Sequence, residues 1–111
     1  FEKVILCSYP WSGNTLLWSL MEQITGVLTG SDCSPFWKLN KDLFEMGLKA
    51  EGIFDDRVWM VKSHHPERAG SDILDANKCV LVVRNPLDAI MSLFHMVATG
   101  THNNSVHEDD F

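Results

Sequence analysis

Two short segments carry residue types suited to holding an anion. The first is Ser8-Tyr9-Pro10-Trp11-Ser12-Gly13-Asn14-Thr15, directly after the apolar run Val4 to Cys7. Gly13 lets the backbone approach a ligand closely, and amides at the start of a helix have no partner within it. Ser12, Asn14 and Thr15 add side-chain donors. The second segment is Arg84-Asn85-Pro86-Leu87-Asp88, with Ser92 eight residues after the arginine. Arg84 offers a planar, permanently charged fork that matches phosphate geometry. Ser92, about two helical turns on, can present its hydroxyl to the same oxygens. Asp88 is poorly placed to meet an anion; it suits tethering a nearby donor, or pairing with Arg84 itself. Between these segments lies Lys62-Ser63-His64-His65. An imidazole at a strand end can move a proton, since free histidine titrates near about pH 6.5.

The elements needed to position these residues are visible in the apolar pattern. Val4 to Cys7, Val58 to Val61 and Cys79 to Val83 read as buried strands, each followed by a polar turn. The last is apolar on both faces, as expected of a central parallel strand. Leu16, Leu17, Leu20, Met21 and Ile24 recur at helical spacing before Gly26. Asn85 and Pro86 suit the cap and first position of another helix. Its stripe is Leu87, Ile90, Met91, Phe94 and Ala98, and Gly100 ends it; Asp88, Ser92 and His95 share the opposite side. Leu39 to Leu48 reads as a helix bounded by Pro35 and Gly52, and the polar stretch after Thr99 as a loop. The alternation predicts an α/β fold with a parallel sheet, in which ligands bind beyond the carboxyl ends of the strands.

Composition narrows the partners. The chain has 111 residues and a formal net charge of −6, which argues against a nucleic-acid or anionic-membrane surface. No apolar run approaches the roughly 20 residues that span a bilayer. There is no initiating Met and no targeting segment, so the expectation is a piece of a longer chain, with its compartment open. Cys7, Cys33 and Cys79 are an odd count without a CxxC pair, which points to neither a disulfide framework nor zinc. Cys7 and Cys79, in apolar runs, are expected to be buried thiols. His64 and His65 lack further ligands at metal-binding spacing, so no metal is expected. Phe36, Trp37 and Phe54 are expected in the core rather than in a substrate cage, His95 as a packing or hydrogen-bonding residue, and Glu108 to Asp110 as a solvated acidic stretch.

The first segment resembles the 5′-phosphosulfate-binding loop of sulfotransferases, usually Tyr-Pro-Lys-Ser-Gly-Thr-Thr-Trp. The Arg84 segment is similar to that family's 3′-phosphate motif, and Lys62-Ser63-His64 to its Lys-Thr-His segment. Covering about residues 3 to 96, the resemblance implies a P-loop NTPase-like parallel sheet flanked by helices, here incomplete. Residues 1–111 would then be the N-terminal part of a single sulfotransferase domain, completed by a Gly-rich segment beyond Phe111. The resemblance also implies transfer of a sulfonate from 3′-phosphoadenosine 5′-phosphosulfate to a hydroxyl or amine of a small-molecule, carbohydrate or protein acceptor, without metal. By the same token Ser12, Gly13, Asn14, Thr15 and Leu16 would hold the 5′ end of that nucleotide and Arg84 and Ser92 its 3′-phosphate. His64, with His65 the lesser candidate, would be the base, and Lys62 would supply charge beside the sulfonate. Two positions depart from the family. Trp11 stands where it has a lysine assisting the leaving phosphate, and Leu16 where it has a tryptophan against the adenine. Trp18 is turned about 200° from Leu16 and does not replace it. These departures leave open a nucleotide-binding module without catalysis. A P-loop small-molecule kinase is the other alternative, disfavoured by the missing Walker lysine.

Overall fold

A computed structural model of the chain describes residues 2–33, 38–65, 75–101 and 105–107. Its elements in chain order are β1 (Val4–Ser8), α1 (Asn14–Thr25), β2 (Gly30–Ser31), α2 (Lys38–Glu45), β3 (Met60–His64), β4 (Lys78–Val82) and α3 (Pro86–Thr99). The four strands form one sheet in the order β2-β3-β1-β4, with every pairing parallel. This is an α/β architecture, with the sheet flanked by helices. Since parallel neighbours need a crossover between them, α1 follows β1 and crosses back over the sheet before the chain reaches β3.

The core on the α1 side is Leu6, Trp18 and Met60, all essentially without solvent contact. Leu17 and Met21 of α1 pack against it. The Trp18 indole nitrogen donates to the Thr29 carbonyl at 2.6 Å, so the ring is buried with its polar atom paired. A second cluster joins Ala50, Val58 and Val61.

Several expectations need correcting. The predicted stripe of α1 holds at two of its five positions: Leu17 and Met21 face the core, while Leu16, Leu20 and Ile24 are exposed. Trp18 takes the central place instead, because its large ring reaches the sheet and Thr29. The strand β4 does not lie centrally. It forms one end of the sheet, and Lys78 to Leu81 are exposed, for nothing pairs on its outer side among the described residues. Cys79 is therefore exposed and Cys7 half-buried, not buried thiols. β3 begins at Met60, two residues later than the apolar run, because Val58 belongs to the approach from the preceding turn.

Other boundaries follow the sequence. Asn85 caps α3 by accepting from the Leu87 amide at 3.0 Å, with Pro86 first in the helix. Gly26 and Gly100 close α1 and α3. α2 spans most of the expected helix. Phe54 is half-buried against the second cluster; Phe36, Trp37 and Glu108 to Asp110 lie outside the described residues. No helix among the described residues is long and apolar enough to cross a membrane.

The short strand β2 had no apolar run to announce it. It exists because Gly30 brings two backbone segments together: the Ser31 amide donates to the Ile53 carbonyl at 3.0 Å. A Cβ on Gly30 would stand 1.8 Å from that carbonyl oxygen. Gly30→Ala should therefore force the 50–58 segment off the sheet edge and destabilise the fold by about 1–3 kcal/mol or more. Denaturant unfolding checks this, and an unchanged midpoint would show that the close approach is not needed.

Candidate functional site

Three strand ends converge at one edge. Ser8, the last residue of β1, lies in register with His64 of β3 and Val82 of β4. The loop of residues 9–13, the His64 side chain and the Val83-Arg84 turn consequently leave the sheet side by side. The Ser8 hydroxyl is 3.3 Å from His64 Nδ1, with Ser8 wholly buried and His64 half-buried. His65 is exposed, and its amide donates to the Ser8 carbonyl at 2.9 Å. Of the adjacent histidines, His64 is the one brought against β1.

The loop before α1 contains two residues in the left-handed region, Trp11 at φ 60° and Gly13 at φ 94°. A Cβ on Gly13 would meet nothing within 4 Å, so the dihedral angle and not space calls for glycine. Trp11 has a Cβ and adopts this region at a cost of order 1 kcal/mol or more. α1 starts without a side-chain cap, so its first amides face the loop without a capping oxygen. Ser12 is buried and Thr15 half-buried at this end of the helix.

Asn14 does something the sequence did not suggest. Its side-chain amide donates to the Leu6 carbonyl at 3.2 Å and the Ser63 carbonyl at 2.8 Å. The nitrogen expected to reach a ligand instead stitches the start of α1 to β1 and β3. Leu16 points outward, two-thirds exposed, and takes no part in the core.

Arg84 ties the two sequence segments together. Its Nη1 donates to the Trp11 carbonyl at 2.8 Å and to the Ser92 hydroxyl at 3.0 Å. Both hydrogens of Nη1 are thus engaged, while Nε and Nη2 have no partner among the described residues. Those two nitrogens form the edge of a guanidinium that takes an oxyanion side-on. Ser92 accepts from Arg84 and keeps its own O–H available as a donor. Asp88 is not paired with Arg84; it sits in the first turn of α3, where a negative charge suits the helix dipole.

Lys62 is placed differently from the other candidates. Its ammonium is buried, 3.5 Å from a Glu51 carboxylate oxygen and 4.6 Å from the centre of the Trp18 ring. Ser31 donates to the same Glu51 oxygen at 3.1 Å, and Ser63 donates to Asp32 at 2.6 Å. Two buried carboxylates thus accompany one buried lysine. Nothing in the sequence marked Asp32 or Glu51, which are isolated acids in stretches without periodicity. The second Glu51 oxygen meets no donor among the described residues. Burial pushes the Glu51 carboxyl above its ordinary pKa, against the opposing pull of Lys62. Burial likewise raises the neighbouring Cys33 thiol. Among the described residues no group of three or more His, Cys, Asp or Glu is placed to hold a metal ion.

Comparison with known proteins gives this arrangement a relationship but not an activity. No family model matches the sequence, and no solved structure matches it. The chain is similar to proteins named as WSCD family members. It is 38% identical over 97 residues to one from Drosophila pseudoobscura pseudoobscura and 37% identical over 97 residues to one from Drosophila melanogaster. A third, from Aedes aegypti, is 35% identical over 99 residues. These matches cover 86%, 86% and 89% of this chain. They span only 28%, 28% and 29% of the relatives' own lengths.

These names overturn the assignment drawn from the loops. The relatives are not named as sulfotransferases, so the membership, the sulfonate-transfer activity and the enzyme class that followed from it fall. A kinase and an inactive module of the sulfotransferase fold gain no support either. The physical reason lies in what the resemblance rested on. A strand, a glycine turn and a helix start recur wherever an anion is held, whereas the family's lysine and tryptophan, which are more specific, are replaced by Trp11 and Leu16.

The buried Glu51 supplies a test of this arrangement. A carboxyl whose pKa is raised on folding adds stability that is fully present below its free value of 4.5 and is lost as pH rises above it. Glu51→Gln removes that titration. Urea unfolding across about pH 4 to 8 should show the variant gaining on the wild type as pH rises, and parallel curves would contradict a buried Glu51.

Proposed function

We propose that the carboxyl edge of this sheet binds a small molecule bearing a phosphate or sulfate group, with Arg84 and Ser92 as the recognising pair. The observation that carries this reading is the anchoring of Arg84. One nitrogen is fixed on Trp11 and Ser92, and that leaves the Nε and Nη2 edge aimed by two contacts and open to a ligand. A guanidinium held this way loses little freedom on binding, which favours affinity.

The rest of the edge supports the same chemistry. The 9–13 loop and the uncapped amides of α1 add donors and the positive end of a helix dipole. We read β1, this loop and α1 as a phosphate-cradling turn of the P-loop kind, without its lysine. Lys62 is neutralised beneath the sheet edge by Glu51, so the positive charge available to a ligand comes from Arg84 and the helix end. His64, oriented by Ser8, is a hydrogen-bonding group at the rim. The nucleotide 3′-phosphoadenosine 5′-phosphosulfate, with both anion types, is the specific ligand we propose for trial, as a molecule bound and with no reaction assigned.

Calorimetric titration with inorganic phosphate, inorganic sulfate and that nucleotide tests the reading. Arg84→Gln should weaken binding about 10- to 100-fold, the size of a charge-assisted hydrogen bond. Ser92→Ala, which leaves the Arg84 bond to Trp11 in place, should weaken it about 2- to 10-fold. Arg84→Lys should fall nearly as far as Arg84→Gln, because it keeps the charge and loses the fork. Equal binding by the wild type and Arg84→Gln, or no binding of any of the three, would overturn the proposal.

A further inference from the structure

β4 uses one of its two sides. The Lys78 amide donates to the Lys3 carbonyl at 3.3 Å, on the β1 side. Successive residues of a strand present their N–H and C=O to opposite sides, so Val80 also serves β1 while Cys79 and Leu81 present theirs outward. Nothing pairs there among the described residues. Free edges are normally blunted by charges, prolines or bulges. Lys78-Cys79-Val80-Leu81-Val82 has no proline and a single lysine, at its start. Its apolar side chains are uncovered too, Leu81 to 66%. α3 carries the same mark. Leu87, Ile90, Met91 and Val97 recur at helical spacing and all are exposed, while the buried Ala89 lies off this stripe. Such a stripe on an amphipathic helix belongs against a core.

We propose that the outer edge of β4 and the apolar stripe of α3 are one intramolecular interface, filled by a further parallel strand from sequence that follows residue 111 in the same polypeptide. The sheet is parallel throughout, and a parallel strand arrives only by a crossover of about a dozen residues or more, usually a helix. α3, with 14 residues directly after β4, is such a crossover. The relatives have the length to supply the strand, since the matched stretch is only 28–29% of them. With that strand in place β4 becomes internal, which suits a run that is apolar on both faces.

Amide-resolved hydrogen exchange on the full natural polypeptide that contains these residues tests the proposal. In the monomer, Cys79 and Leu81 should be protected to within about tenfold of Val80, the amide that serves β1. An open edge would leave them at least about 100-fold less protected. Leu81→Pro adds a second measurement, because proline is tolerated on a strand whose N–H faces solvent and not on one whose N–H is paired. In the full polypeptide it should raise the unfolding equilibrium constant at least about tenfold. Fast exchange at Cys79 and Leu81 in the folded wild type would overturn the proposal, as would a polypeptide that ends at Phe111. Protection that disappears on dilution to the monomer would also overturn it, since a second copy then covers the edge.

Discussion

Parallel pairing of β1 with both β3 and β4 constrains everything else in this molecule. The registers set Ser8 opposite His64 on one side and Val82 on the other. A parallel sheet forces its strand ends to one edge, and this register makes three of them coincide within a residue or two. The Arg84 side chain thereby reaches the Trp11 carbonyl, and His64 reaches the Ser8 hydroxyl. Asn14 secures the arrangement from the helix side, since its amide reaches carbonyls on both β1 and β3. A slip of one residue on either strand would turn alternate side chains to the opposite face and dismantle the site.

Charge is divided between two compartments. Below the edge, Lys62 lies among Glu51, Asp32 and the Trp18 ring, where burial makes every unpaired charge costly. That cluster is structural in its geometry: each charged group is answered by another or by a hydroxyl, save one oxygen of Glu51. At the edge itself stands Arg84, exposed and held by neutral partners. A carboxylate in that position would have neutralised it. A carbonyl and a hydroxyl orient it without consuming its charge, and this difference separates an arginine available to a ligand from one engaged in a salt bridge.

The legible part of the fold was the part written in apolar runs and caps. β1, the start of α3 at Asn85-Pro86 and the stops at Gly26 and Gly100 follow from local chemistry, and so they agree with the structure. The convergence of Arg84 with Ser92 was also readable, because a helix fixes the direction of a residue two turns on. Other features depend on contacts far apart in sequence. β2 arises from a backbone approach between Gly30 and Ile53, and periodicity carries no trace of it. Lys62 is expected at the site through the resemblance of Lys62-Ser63-His64 to a Lys-Thr-His segment, yet its ammonium is buried against Glu51. Its partners Glu51 and Asp32 come from segments that only the folded sheet brings near. Helical geometry turns Trp18 away from the exposed Leu16, and the same angle carries it into the core. The activity suggested by the loops failed because a phosphate-holding geometry is shared by unrelated proteins, and its more specific residues were absent here.

The central claim is that Arg84 meets an oxyanion through its Nε and Nη2 edge while Nη1 stays on Trp11 and Ser92. The most direct measurement is the side-chain spectrum of Arg84 in isotopically labelled protein during addition of phosphate. The account predicts that the Arg84 Nε–H resonance shifts and becomes slow to exchange with water as phosphate saturates, while the Trp11 and Ser92 contacts persist. An Arg84 Nε–H that does not respond, with shifts confined to other parts of the chain, would contradict it.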